Sequence, residues 1–313
     1  MNRKLLLALL VVLMGMAACA SPATTTPGPT GSAAVPVGTQ PPADQPAAVP
    51  QAAQRVVSLA PSNTEILFAV GAGPQVVGRD SLSDYPSAAS QVPDIGGGYM
   101  ALNMELILAS KPDLVLASPI TPPEQLAELQ AVGLNIQTVS NPRTFEELYG
   151  NLISVGGLTG HAAEAEALVT ALKVRVDTVT GQVSKAAERP VVFYELDATD
   201  PNAPYTSGPG TFVDLVIGSA GGTNFGAELD AEWVQVSVEE LLRRQPDFIL
   251  LGDNTYGGVT PEQVRLRSGW DALTAVQQNR IFIFDDNLVS RPGPRLIDGL
   301  EAMAKLLHPD IVK

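Results

Sequence analysis

Glu105-Leu-Ile-Leu-Ala-Ser-Lys-Pro-Asp-Leu-Val-Leu116 returns, 134 positions further on, as Glu239-Glu-Leu-Leu-Arg-Arg-Gln-Pro-Asp-Phe-Ile-Leu250. In each copy a helix-capping residue, Asn103 or Ser237, stands two places before the first glutamate. A short apolar helix follows, and Pro112-Asp113 or Pro246-Asp247 breaks it before a buried strand. A duplicated helix-turn-strand unit implies a chain built from two related α/β halves, and two lobes make a cleft that can hold a ligand.

Outward from the first copy, Arg55 to Ala60 reads as a strand, and Ser62 with Glu65 has the spacing of a capping box opening an apolar helix to Val70. Further strands are expected at 75–78, 113–117 and 135–139, alternating with helices at 103–110 and 122–132. That alternation predicts a mainly parallel sheet covered on both faces. Thr144 and Glu147 then form a second capping box, and glycines between Gly156 and Gly160 break the helix it opens. Ala162, Ala165, Leu168, Val169, Leu172, Val176, Val179 and Val183 follow a helical period over about six turns, a spine between the halves. The second half opens with the strand 190–196 and the loop 197–210. Helices at 211–219, 237–245 and 260–267, strands at 247–252 and 281–284, and a closing helix at 295–307 complete it. The expected divisions are a first lobe at 55–142, linking helices at 143–189 and a second lobe at 190–313.

The chain starts Met1-Asn-Arg-Lys4, continues with the apolar run Leu5 to Met14, and reaches Gly15-Met-Ala-Ala-Cys19. A basic start, a short apolar segment and a small-residue end make residues 1–18 an export signal. Cys19, the one cysteine of 313 residues, stands where the bacterial lipobox places its lipidated cysteine, and it leaves no internal disulfide to stabilise an exported fold. Residues 20–54 are dominated by Pro, Ala, Thr, Gly, Ser, Gln and Val, a composition for a disordered tether reaching roughly 30 to 35 Å. The net charge of -14 disfavours nucleic acid and anionic lipid as partners.

Catalytic signatures are missing. The chain has no Gly-x-Ser-x-Gly elbow, no phosphate-cradling Gly-x-x-x-x-Gly-Lys and no His-Glu-x-x-His, and Gly71-Ala-Gly73 lacks the third glycine of a dinucleotide fingerprint. Its two histidines, His161 and His308, read as capping or packing residues, since no ligand cluster lies at metal-binding spacing beside them. A lipid-anchored hydrolase is therefore disfavoured, and neither catalytic residue, metal nor intrinsic cofactor is expected. The aromatics are unevenly spread: Tyr85, Tyr99, Tyr205, Trp233 and Tyr256 fall in strand-to-helix segments that edge the crevice of an open α/β sheet. Together they suit a large, partly flat, amphipathic ligand.

Val56-Val-Ser-Leu-Ala-Pro-Ser-Asn-Thr-Glu65, Ser83-Asp-Tyr-Pro86, Asn103-Met-Glu105 with Lys111-Pro-Asp113, Tyr205-Thr-Ser-Gly208 and Trp233-Val-Gln-Val-Ser237 stand in an order that resembles one family. It is the substrate-binding proteins of ABC importers for iron chelates, haem and vitamin B12, whose vitamin B12-binding members are the most similar. The resemblance spans Arg55 to Pro309. It implies an α/β fold of two Rossmann-like lobes joined by a long rigid α-helix, with the ligand cleft between them. It also implies a monomer that captures a metal chelate, cobalamin favoured over a ferric siderophore or haem, and delivers it to an ABC permease with its ATPase. By motif, Glu105 and Glu239 are the permease-docking glutamates, although a glutamate in a first helical turn is also favoured by the helix dipole alone. Tyr85, Tyr99, Tyr205 and Trp233 are placed around the ligand. Gly96-Gly-Gly-Tyr99 departs from the family's tryptophan-bearing loop. Arg79 or Arg291 is the candidate for an anionic chelate, and Tyr99 for haem iron. A non-transport module that kept the fold is the remaining alternative.

Overall fold

A computed structural model describes residues 51–98 and 100–313, so Cys19, the expected signal and tether, and Tyr99 lie outside the described residues. Two four-stranded sheets organise the chain. The first comprises β1 (Val56–Ser58), β2 (Val76–Arg79), β3 (Leu114–Ala117) and β4 (Ile136–Thr138), in the order β2-β1-β3-β4. In the second half, β5 is Val191–Glu195, β6 Tyr205–Ser207, β7 Thr223–Asn224, β8 Trp233–Gln235, β9 Phe248–Leu251 and β10 Ile281–Ile283. Its main sheet runs β10-β9-β5-β7. Every pairing within these two sheets is parallel. Setting β1, β2, β3 and β4 against β5, β7, β9 and β10 gives the same order twice, so the repeat read in the sequence is a repeat of topology.

The repeated segments fold alike in detail. The side chain of Asn103 accepts from Leu106 N at 3.1 Å and that of Ser237 from Glu240 N at 3.2 Å, capping helices Met104–Ala109 and Val238–Arg244. Lys111 and Gln245 then take left-handed backbone, φ 49° and 48°, just before their prolines. A residue preceding proline is pushed away from the right-handed helical region, so both helices stop there. The aspartate that follows fastens the next strand to its neighbour. Asp113 accepts from Gln54 N and Arg55 N at 2.8 and 2.9 Å ahead of β1, and Asp247 accepts from Val191 N at 2.7 Å at the start of β5.

Alternate residues of each central strand serve two cores. Leu114, Leu116, Phe248 and Leu250 join a cluster shared by both halves, while Val115 and Ala117, or Ile249 and Leu251, pack into clusters belonging to one half. The helix Ala162–Val183, 22 residues and about six turns, lines the shared cluster with Ala165, Val169, Leu172, Val176, Val179 and Val183. Burying one stripe of this long helix against helix Phe145–Thr159 and against the closing helix Leu296–Leu307 ties the halves into a common core.

Four local expectations change. Helix Pro61–Ala69 begins at Pro61, not at a Ser62 cap, because proline fixes the first helical turn; Ser62, Asn63, Thr64 and Glu65 lie inside the helix, buried. Helix Phe145–Thr159 is capped by Thr144, but Glu147 reaches back to Arg143 N at 2.7 Å, so the box is half formed. Gly156 and Gly157 are helical, and the break sits at Gly160, φ 80°. Within the expected loop 197–210 runs β6, which pairs antiparallel with β8 as a separate ribbon.

Candidate functional site

The carboxyl ends of the two parallel sheets carry the loops that bring the halves into contact. On the first half, Asn63 donates to Leu116 O and Ala117 O at 3.1 and 2.9 Å, pinning the start of helix Pro61–Ala69 to the end of β3. Thr64 donates to Ser58 at 2.8 Å and lies 2.7 Å from Ser83, whose hydroxyl donates to Asp80. All four side chains are buried. This run of polar groups fixes the loop after β2 and therefore Asp84 and Tyr85.

On the second half, Tyr194 on β5 donates to Asp286 at 2.8 Å, and Ser290 donates to the same oxygen at 2.6 Å. That holds the loop after β10, which carries Arg291 and Arg295. Arg295 bridges the halves, donating to both oxygens of Glu65 at 2.9 and 2.5 Å, and its guanidinium lies 4.0 Å above the Tyr85 ring. Arg291 donates to Asp84, stands 3.6 Å from Glu65, and donates to Tyr256 at 3.2 Å. A third bridge, Arg143 to Glu232 at 2.5 Å, joins the segment after β4 to the segment before β8 and is exposed.

The electrostatics follow from burial and pairing. Burial raises the carboxyl of Glu65 against the lowering pull of Arg295 and Arg291. The hydrogen bond from Arg291 holds the carboxyl of Asp84 below its ordinary range. Burial opposes the charge on Arg291, but its bonds to Asp84 and Tyr256 outweigh it and the guanidinium titrates higher than usual. Deeper in the second half, Glu195 is fully buried and held by Arg267 through two bonds of 2.5 and 2.8 Å. Asp253, 7% exposed, has no hydrogen-bond partner as a carboxylate; burial and the neighbouring Glu195 push it up to about 8, and as the acid it donates to Glu195.

The structure sorts the expected site residues. Tyr85 (45% exposed) is presented by the first half, and Tyr205 (41%) and Trp233 (42%) by the second. Tyr205-Thr-Ser and Trp233-Val-Gln, far apart in sequence, are the two strands of the β6–β8 ribbon, with Ser207 opposite Trp233. Phe212 backs the Trp233 ring at 5.5 Å between centroids. Gly208 follows β6 at a place no side chain fits, since a Cβ there would lie 1.8 Å from Ala231 O. Tyr256 is exposed and donates to Asn287 at 2.7 Å. Arg291 is 7% exposed and fully engaged by Asp84, Glu65 and Tyr256. Arg79 is likewise occupied, donating to Ala89 O and Asp80 O at 3.1 and 2.9 Å. Neither arginine presents a free guanidinium. Glu105 and Glu239 are exposed at matching positions of the two repeated helices. Sequence reading missed Glu65 and Asp84, though both stand inside the quoted motifs; their partners lie more than 200 positions away, beyond any local signal.

Among the described residues no group of His, Cys, Asp or Glu side chains has the arrangement of a metal site, and no helix is long and apolar enough to cross a membrane. His161 lies 3.1 Å from the Gln75 side chain and His308 3.2 Å from Gly221 O, both in packing roles. A groove of 510 Å³ lies at the opposite edge of the second sheet, lined by Pro190, Phe248, Arg280, Phe282, His308 and Ile311 among others. All its residues come from position 186 onward, so it touches one sheet only, and the convergent polar and aromatic groups are elsewhere.

The family model for periplasmic binding proteins matches residues 56–288. The chain is 32% identical to the uncharacterized ABC transporter substrate-binding lipoprotein YvrC of Bacillus subtilis (strain 168), across 98% of this chain and 97% of the relative. It is 29% identical to the vitamin B12-binding protein of Vibrio cholerae, across 83% of this chain and 91% of that one. The apo periplasmic heme-binding protein RhuT of Roseiflexus sp. RS-1 superposes with a TM-score of 0.73 at 28% identity, over 82% of this chain and 98% of the other.

Proposed function

The chain belongs to the periplasmic binding protein family, a family of binding proteins and not of enzymes, and on that premise we propose that it is the substrate-binding component of an ABC importer with a corrinoid as its ligand. The observation that carries this reading is the trio of aromatics, Tyr85 from the loop after β2 and Tyr205 and Trp233 from the β6–β8 ribbon of the second half, each left more than 40% exposed. Aromatic faces offered from two sides suit a flat macrocycle, which removes them from water on binding. The similarity to a protein named for vitamin B12 supports the corrinoid over other chelates. A second reading, a haem or ferric-siderophore receptor, draws on the structural similarity to a heme-binding protein.

Export and a lipid anchor at Cys19 complete the reading, supported by the lipobox-like Met-Ala-Ala-Cys19 and by a relative named as a lipoprotein. Glu105 and Glu239 are proposed to dock onto the permease, one from each half. Titration calorimetry with cyanocobalamin tests the ligand. Trp233→Ala removes an aromatic of the proposed cleft and is expected to weaken binding by about 2 kcal/mol or more, roughly thirtyfold. A wild type that ignores cyanocobalamin and binds a ferric siderophore or haem sinks the corrinoid reading in favour of the second.

A further inference from the structure

The two arginines where the halves meet are neutralised before any ligand arrives. Arg291 and Arg295, with side chains 7% and 13% exposed, face the carboxylates of Glu65 and Asp84. Around them, the buried Asp80 and Asp286 lie within electrostatic reach of Arg291, Asp285 adjoins Asp286, and Arg79, itself paired with Asp94, faces Asp80. Two cations in contact with two anions, surrounded by Asp80, Asp285 and Asp286 and by Arg79 already paired with Asp94, leave a polar region with no positive charge to spare.

Resting on the importer reading, we propose that Glu65 and Asp84 are specificity-determining residues: by holding Arg291 and Arg295 they deny an anionic chelate its counter-ions, so the site selects a macrocycle without net negative charge. A ligand carboxylate has two routes to Arg291 or Arg295, and both are unfavourable. It can displace Glu65, leaving a carboxylate that is 3% exposed without its partner. Or it can approach with Glu65 and Asp84 in place and be repelled by them in a setting of reduced dielectric. Haem, with two propionates, meets this barrier, as do ferric catecholates. Cyanocobalamin does not, because its rim is made of amides and its single phosphodiester is balanced by the charge on cobalt. Discrimination by opposing like charge needs no new contact with the favoured ligand.

The same ion pairs also hold the halves together, so the test must read something that a structural tie alone would not change. Asp84 is 69% exposed at its side chain and tolerates an amide, which makes Asp84→Asn the principal variant. Glu65→Gln keeps the shape of the buried group, with thermal melting to verify the fold, and Asp84→Glu is the conservative control. Haemin and cyanocobalamin are titrated into each protein. The expected pattern is a wild type that prefers cyanocobalamin, an Asp84→Asn variant that gains about tenfold or more in haemin affinity, and cyanocobalamin affinity changed by less than about threefold. The gain should shrink at high salt, and Asp84→Glu should behave as wild type.

A wild type that binds cyanocobalamin, together with variants that acquire no haemin affinity, overturns the inference while leaving the importer reading intact. A wild type that binds haemin as tightly as cyanocobalamin overturns it as well. Failure of every form to bind either chelate removes the corrinoid reading and the inference with it.

Discussion

Asp253→Asn should abolish a pH dependence of stability that the wild type carries. In the unfolded chain Asp253 titrates near its ordinary value of 3.8, whereas in the folded protein it keeps its proton up to about 8. Between those limits the folded state holds a proton the unfolded state has released, so stability is fully present below about 4, falls as pH rises through the window, and levels off above about 8. At about 1.4 kcal/mol per pH unit, the whole span sets a ceiling of roughly 6 kcal/mol. The pull of Arg267, paired with Glu195 beside it, is already contained in that value. A loss of about 3 to 4 kcal/mol between pH 5 and 8 is the share of that ceiling expected within the range. Asparagine is close to isosteric and can donate to Glu195 as the acid does, without titrating. Urea denaturation at pH 5, 6, 7 and 8 should show the variant gaining on the wild type as pH rises, with a similar denaturant slope for both. Parallel pH profiles would refute the placement of a protonated carboxyl beside Glu195.

Two further outcomes follow from the proposed role. Replacing Glu105 and Glu239 together by alanine should leave cyanocobalamin binding and melting temperature nearly unchanged while impairing uptake by whole cells; each exposed ion pair contributes only ~0.2 to 1 kcal/mol, so single variants should show little, and unchanged uptake by the double variant would leave these residues as helix-start glutamates alone. Cys19→Ser should move the protein from the membrane fraction to the soluble fraction or leave it as uncleaved precursor, and identical soluble fractionation of both forms would remove the lipid anchor from the reading.

What could be read from the sequence was what depends on near neighbours. Asn103, Ser237 and Thr144 were legible as caps because a cap bonds within its own first turn. The alternation of strand and helix gave the parallel sheets for the same reason. The β6–β8 ribbon was hidden because Tyr205 pairs with Gln235, and three-residue strands show too little alternation to stand out from a loop. The contact between the halves was hidden for a stronger reason. Glu65 has capping-box spacing from Ser62, so a local reading assigns it to its own helix, whereas Pro61 starts that helix and frees Glu65 for Arg295. Arg291 reads as a ligand-binding cation until its partner Asp84, in the other half, is known.

Duplication explains how that contact is built. Ser58 lies opposite Leu116 in the first sheet and Tyr194 lies opposite Leu250 in the second, and Leu116 and Leu250 are equivalent in the repeat. Ser58 and Tyr194 are thus the same strand position in the two halves, and each roots a polar chain. From Ser58 the chain runs through Thr64 to Ser83, next to Asp84; from Tyr194 it runs through Asp286 to Ser290, next to Arg291. The two chains differ in chemistry, hydroxyls in one and a phenol with a carboxyl in the other, but each carries a buried strand position out to the loop beyond its sheet. Their ends meet as Asp84 and Arg291. The pair proposed to govern specificity is therefore positioned from both cores at once. Disturbing either root, by Tyr194→Phe for instance, should loosen Arg291 without touching it, because Asp286 would keep its bond to Ser290 and lose the one that ties it to β5.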